Sequence, residues 1–568
     1  MTYEVNELVE IAAGRKKSSL VLKNASIVNV FTHEIYNSDI AIAGDRIAGI
    51  GHYEGLEEIN LEGRYAVPGL IDAHMHLESS MVMPCEFARA VLPRGTTTVI
   101  ADPHEIANVA GLAGVRFLLD SSRDTLIDVF MMLPSCVPAT PFDSPGASFT
   151  VKDMEKLLDD PRVLGLGEVM DFQGVVSGRQ DIFQKITLFS GKMIDGHAPG
   201  LTGSALNAYA AAGIRTDHEC VAADEMQEKL RLGFYILIRE GSAARDLLAL
   251  IKGINHHNLR RCLFCTDDRQ LEDIVKYGHI DNNVRMAVKH GIDPVSAVTM
   301  ATLNTAECYG LRDRGAIAAG YLADIVILDN LEEFSINSVY RKGRLFTDKS
   351  SCEDKINIPQ NIGNTVNLTE ITADMLKIKI QNPAVNVIEI LHGSIVTKKT
   401  VKNVSVVQGE FKCITVDDPV KLAVIERHKA SGRIGLGLLD KFGLREGAIA
   451  STISHDSHNL IVAGDNDEDM IIAINEINAC GGGITICSGG KVVKTLPLKI
   501  AGLISLKAYR EVYSIFGEML EIVQRMGIPA GMDPFMTLSF MALTVIPELR
   551  LTDRGLFDVT KQRFVSLI

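Results

Sequence analysis

The rhythm of apolar and polar positions changes twice along the chain. Over residues 20–67 short β-type runs, SLVLKNASIVNV, DIAIAGDRIAGIG and YAVPGLID, are broken by Gly, Asn and Asp turn signals, which predicts a small β-rich segment. From Val67 onward, apolar strands alternate with helical stretches. Eight strand candidates precede Asp268: AVPGLIDAH, TTTVIAD, DVFMMLPS, RVLGLGEV, KMIDGH, GIRTDH, FYILIRE and RCLFCTD. The intervening EIANVAGLAGVRFLLD, LTGSALNAYAAAG, AADEMQEKLRLG and RDLLALIKGI have helical patterns, several with Gly where a C-cap needs one. Eight such units over about two hundred residues fit a (β/α)8 barrel, with an open doubly wound sheet as the alternative.

Beyond the barrel, DPVSAVTMATLNTAECYG reads as helix, and GAIAAGYLADIVILDN returns to β-type alternation. That return can complete the first β segment. The expected organisation is therefore an α/β chain with one small β-domain formed by both flanks of the barrel: residues 1–67, then the barrel at 68–308, then a completing segment at 309–348. A polar linker at 349–367 and an additional C-terminal α/β domain at 368–568 follow.

Composition narrows the function classes. Of 568 residues 46% are apolar and 23% charged, the balance of a folded globular protein. A net charge of -14, with no long basic run, speaks against a nucleic-acid partner. No stretch has the length of a membrane span and the N-terminus lacks an apolar h-region, so a cytoplasmic protein is expected. Ten scattered cysteines read as reduced thiols; the Cys262 and Cys265 pair lies in a short apolar strand with no second pair, which favours packing over a metal site.

The last residues of the strand candidates carry the chemistry. The first ends in His74 and His76, the second leads to Asp102, His104 and Glu105, the fourth has Glu168, and the fifth ends in His197. The sixth ends in Asp217, His218 and Glu219, and the eighth in Asp267 and Asp268. In a barrel these ends meet on one face. His74 and His76 are two apart, on the same side of a strand, so both can point at one ion. Taken singly each residue has an ordinary reading: a hydrogen-bonded histidine, a salt-bridged Glu168, or a helix cap at Asp267 or Asp268 ahead of RQLEDIVKYG. Together, four histidines and two carboxylates exceed the needs of one tetrahedral ion. They imply two divalent ions sharing a carboxylate, with ligand types suited to zinc, manganese or iron.

PGLIDAHMH resembles the first-strand signature of the amidohydrolase superfamily, a group of metal-dependent hydrolases. With PGLIDAHMHLESS, ADPHEIANV, GLGEVMD, TDHE, CTDDR and SHDSHN the chain resembles, over nearly its whole length, the adenine deaminase family. The resemblance implies His74 and His76 on one ion, His197 and His218 on the other, and Glu168 as the bridge where many relatives use a carboxylated lysine. It implies Asp267 as the strand-eight acid that contacts metal and handles protons, with neighbouring Asp268 as the alternative, and manganese or iron as the ions, zinc being possible. The implied reaction is hydrolytic deamination of the cyclic amidine adenine to hypoxanthine and ammonia. It needs a second acid near ring atom N1, for which His104, Glu105 and Glu219 are candidates.

Glu78 and Ser79 follow the first histidines and can reach substrate; for Ser79 or Ser80 a helix-capping role is the alternative. His455, Asp456 and His458 in ISHDSHNLIVAG are either a solvated turn or a loop closing over the barrel mouth to bind substrate. NACGGGITICSGG lacks the spacing of a nucleotide loop and reads as tight turns. Adenine is the expected small-molecule partner, and a homo-oligomer, a dimer or larger, the expected assembly. The alternatives are an amidohydrolase acting on another nucleobase or cyclic amide, and a noncatalytic scaffold of the same fold.

Overall fold

A computed structural model describes residues 5–347, 350 and 358–567. Its centre is a ring of eight parallel strands: β1 (Leu70–Met75), β2 (Thr96–Ala101), β3 (Asp128–Leu133), β4 (Val163–Val169), β5 (Met193–Gly196), β6 (Thr216–Asp217), β7 (Tyr235–Arg239) and β8 (Cys262–Cys265). All eight sequence candidates are strands. They pair as β5-β4-β3-β2-β1 and as β6-β7-β8. The two arcs are joined at both seams. Met75 and Asp267 form a parallel bridge where Asp267 N donates to His74 O at 3.0 Å, and Arg215 N donates to Ile194 O at 3.1 Å between β5 and β6. An open doubly wound sheet would leave β1 and β8 at opposite edges, so that alternative falls.

Strands β1 and β2 are buried along their whole length, as expected of parallel strands covered on both faces. Of the helices between them, Ala223–Arg231 turns Met226 inward, whereas His104–Ser121 is buried all round from His104 to Val109 and again at Val115 and Leu118. RDLLALIKGI yields less helix than its pattern predicts, only Leu247–Leu250 followed by a 3-10 turn at Ile251–Gly253.

A second sheet lies against the barrel. Strand Ile325–Asn330 pairs antiparallel with Tyr65–Pro68, which in turn runs parallel to Ser18–Asn29, so segments from either side of the barrel share one sheet. Asp128, at the start of β3, receives Arg314 at 2.7 Å and Lys342 at 2.9 Å and ties that sheet to the barrel floor.

The C-terminal region is an eight-stranded sheet in which Ala384–Ile390 and Ile434–Asp440 run parallel and the other neighbours antiparallel. Helix Asp467–Cys480 packs on one face, burying Met470, Ile474 and Ile477. The C-terminal region docks on the barrel through Asn459 Nδ2 to Ser144 O at 3.1 Å, Thr140 Oγ1 and Thr544 Oγ1 at 2.9 Å, and Tyr509 N to Glu86 Oε2 at 2.9 Å. Of the polar stretch 349–367, residues 349 and 351–357 lie outside the described residues; Ile362 is buried and Asn367 N donates to Arg427 O at 2.7 Å.

Cys262 and Cys265 are free thiols packed in β8, in keeping with the packing reading. Cys85 is disulfide-bonded, which corrects the expectation of reduced thiols throughout.

Candidate active site

The strand ends meet around one carboxylate. Glu168, at the end of β4, turns Oε1 toward His76 Nε2 at 3.5 Å and His74 Nε2 at 3.9 Å. Its Oε2 faces His197 Nδ1 at 2.6 Å and His218 Nε2 at 3.2 Å. Each oxygen thus faces a different histidine pair. Asp267 closes the ring from β8, its Oδ1 3.1 Å from His76 Nε2 and 3.7 Å from His74 Nε2. Burial alone would raise the Glu168 carboxyl, but His218 and His197 hold it well below the ordinary carboxylate range.

Local structure explains the convergence. Asp102 bonds across to both neighbours: its main-chain O accepts His76 Nδ1–H at 2.9 Å and its Oδ2 accepts Glu168 N–H at 3.0 Å. The second contact needs Gly167, because a Cβ there would stand 2.1 Å from Asp102 Oδ2. Below the histidines, Asp72 accepts from His74 N at 3.2 Å and Thr266 N at 3.1 Å, joining β1 to β8. Asp195 is held by Thr216 Oγ1 at 2.8 Å and Tyr309 OH at 3.0 Å. Burial pushes both acids up to about 7.

The donor set fits divalent cations. With Nδ1–H given to Asp102 O, His76 presents the lone pair of Nε2 inward. His74 Nε2 is buried and, among the described residues, has no hydrogen-bond partner. A nitrogen in that state asks for a Lewis acid. Two donor groups, the buried His74 with His76 and Glu168, and Glu168 with His218 and the half-buried His197, have ligand atoms close enough to share an ion.

Neighbouring acids divide the work. Asp268 accepts the Ser79 hydroxyl while Asp267 faces the histidines. Neither acid caps the following helix, Leu271–Tyr277, whose N-cap is Gln270, and neither Ser79 nor Ser80 caps Pro84–Val91. Glu219 is gripped by Arg239, whose Nη2 donates to its Oε2 at 3.0 Å; Arg239 Nη1 also reaches Asp267 Oδ2 at 3.1 Å and its Nε reaches Asp246 Oδ2 at 2.8 Å. Sequence reasoning missed Arg239. The signal was a cation closing the apolar run YILIR, where a buried strand end calls for acid partners.

His104 opens its helix with Nδ1 3.1 Å from Glu168 Oε1 and Nε2 3.4 Å from Glu105 Oε1. Glu78 Oε1 accepts Ile106 N–H at 3.0 Å, leaving Oε2 buried and unpartnered among the described residues. Glu105 is met from the C-terminal region by His455 Nδ1, 2.6 Å from Oε1, and by His458 Nε2 at Oε2. His455, Asp456 and His458 are all buried, so the solvated-turn alternative falls. A cavity lies between the halves, floored by His76, Glu168 and Asp267 and covered by His455, Asp456 and Phe540.

Eight strands closed around a buried imidazole and carboxylate cluster define a metal-dependent hydrolase barrel, and the amidohydrolase family profile matches residues 65–346. A profile described as the adenine deaminase C-terminal domain matches residues 394–563. The chain is 50% identical to an adenine deaminase of Nitratidesulfovibrio vulgaris over 577 aligned positions, covering 100% of each chain. It is 50% identical to one of Clostridium acetobutylicum (99% of this chain, 100% of that one) and 46% identical to one of Geobacillus kaustophilus (98% of each). The chain belongs to the adenine deaminase family. Membership carries a divalent metal centre with it, and no described helix is long and apolar enough to cross a membrane.

Proposed function

We propose that the protein hydrolyses adenine to hypoxanthine and ammonia. The observation that carries this reading is the two-sided engagement of Glu168, one oxygen toward His74 and His76 and the other toward His197 and His218. In this reading His74 and His76 would hold one divalent cation and His197 and His218 another, with Glu168 and Asp267 supplying carboxylate oxygens. Manganese or iron suits the imidazole and carboxylate donors, with zinc as the alternative.

Bound there, divalent cations would supply the Lewis acidity that makes hydroxide available from water near neutral pH. Arg239 fixes Asp267 Oδ2, which leaves Oδ1 on the histidine side to take a proton from the attacking group and pass it to the departing amine. Glu219, with Arg239 bonded to both its oxygens, keeps that arginine in place. Above the acids, His104, Glu105, His455 and Asp456 form the side of the site that meets the purine, with Glu78, Ser79 and His458 lining the adjoining cavity. Asp456 Oδ2, buried and unpartnered among the described residues, is available to a ring N–H. The reading places the enzyme in the cytoplasm, as a homo-oligomer, with a free base rather than nucleic acid as its partner.

Ammonia release from adenine, adenosine, cytosine and guanine, measured after chelation and reloading with manganese, iron or zinc, tests the proposal. Adenine alone is expected to react, and only after reloading. Equal release from the metal-free chain, or preference for another base, overturns it.

A further inference from the structure

By side-chain type Glu105, His455 and His458 form another trio that could hold a metal ion. The backbone argues otherwise. Ser454 N–H donates to His458 Nδ1 at 3.1 Å, so that nitrogen carries the lone pair and Nε2 carries the hydrogen, which goes to Glu105 Oε2. A cation on Nε2 would require the ring to give up its only hydrogen. The trio is a hydrogen-bonded relay.

Its second arm borders the cavity over the reaction centre. Glu105 Oε1 takes the Nδ1–H of His455 at 2.6 Å. The ring stacks on Phe540, centroids 4.8 Å apart and planes 24° apart, and forms part of the wall of the cavity floored by Glu168 and Asp267. His455 Nε2 has no hydrogen bond among the described residues. The loop that carries it is clamped. Arg427, fully buried, donates Nε to His458 O, Nη1 to Thr365 O at 3.2 Å and Nη2 to Ala501 O at 2.9 Å.

We propose that His455, supplied by the C-terminal domain, is the acid that protonates N1 of the purine, its imidazolium donating from Nε2 while Glu105 remains a carboxylate on Nδ1. This rests on the adenine reading above. Addition of hydroxide to C6 turns the C6–N1 double bond into a single bond, and the released electron pair takes the His455 proton at N1. Asp267 moves the hydroxyl proton to the amine as the C6–N6 bond breaks, giving the 6-oxo base with N1–H and ammonia. One proton of the consumed water recharges His455 and the other leaves on ammonia, so the cycle closes. A carboxylate behind an imidazole holds it in one orientation and stabilises its charged form. Burial disfavours that charge, yet Glu105 raises His455 to about 9, with Asp268 and Asp456 adding to the effect, whereas burial brings His458 down to about 4.

The test uses the full-length, metal-loaded chain with adenine. In His455→Gln, kcat is expected to fall at least about 100-fold with KM changed less than about 3-fold. Metal content and thermal midpoint stay at wild-type values. Added imidazole restores part of the turnover of His455→Ala; if that variant does not fold, the Gln variant alone decides. A Gln variant within about 5-fold of wild type in kcat, or a loss confined to KM, overturns the assignment. Metal-loaded wild type that releases no ammonia from adenine overturns the adenine reading and this inference with it. An active wild type beside an equally active variant removes His455 alone.

Discussion

Glu168 and Glu105 are both buried, both sit between histidines of distant strands or loops, and both are held ionised by those histidines against the effect of burial. What separates them is the far side of each ring. Around Glu168, His76 spends its Nδ1 hydrogen on Asp102 O and turns a lone pair inward, and His74 Nε2 has nothing to bond. Around Glu105, His458 accepts at Nδ1 and turns a hydrogen inward. Ligand type and spacing are alike in the two places. The second hydrogen bonds of His76 and His458 decide whether a lone pair or a hydrogen faces the carboxylate, and so whether the cluster collects cations or moves protons.

The comparison can be broken at several points. The largest effect is expected from His74→Ala: turnover below detection, reduced cation content by elemental analysis, and an unchanged circular dichroism spectrum. Full activity in that variant would remove the residue from the metal centre. Glu105→Gln should lower kcat about 100-fold while the cation content stays at the wild-type value; loss of metal there would make the second cluster a ligand set after all.

A smaller, graded effect is expected with pH. His455 is raised to about 9 and acts in its protonated form, so the competent fraction shrinks as pH climbs through that value. The kcat profile should fall above about pH 9, and His455→Gln should lack that fall. Glu105, Asp268, Asp456 and His458 face the ring and set where it lies.

The smallest effect on catalysis belongs to the opposite end of the barrel. Burial would raise Asp128, but Arg341, Arg314 and Lys342 hold it well below its ordinary value. A depressed carboxyl contributes stability that is present above its unfolded value, about 3.9, and is lost as pH falls. Asp128→Asn should leave turnover per folded molecule unchanged and cost about 2 kcal/mol in denaturant unfolding at neutral pH, less at low pH. A drop in kcat instead would show that the floor and the mouth are coupled.

The strands were legible because each is a short apolar run bounded by turn residues, and His74 with His76 because a period of two puts both on one face. Asp267 and Asp268 could not be told apart in CTDD. Adjacent acids there face opposite ways, and Asp267 adopts a left-handed backbone, φ 55°, that a carboxylate tolerates without marking the sequence. The partners of Glu105 were beyond reach for a different reason. They lie 350 and 353 positions away, on a loop whose place depends on Arg427 and three separate backbone carbonyls. No local periodicity records such a contact. Arg239 fell between the two cases, since its position was visible and its three acid partners were not.

The docking of the His455 loop over the barrel bears on how this chain can change over generations. If ring protonation comes from the second half, the first half inherited by itself would be a container for cations with no way to finish the reaction. Exchange of the C-terminal half between relatives would then have to preserve SHDSH together with the glutamate that meets it, and the two would drift as a single unit.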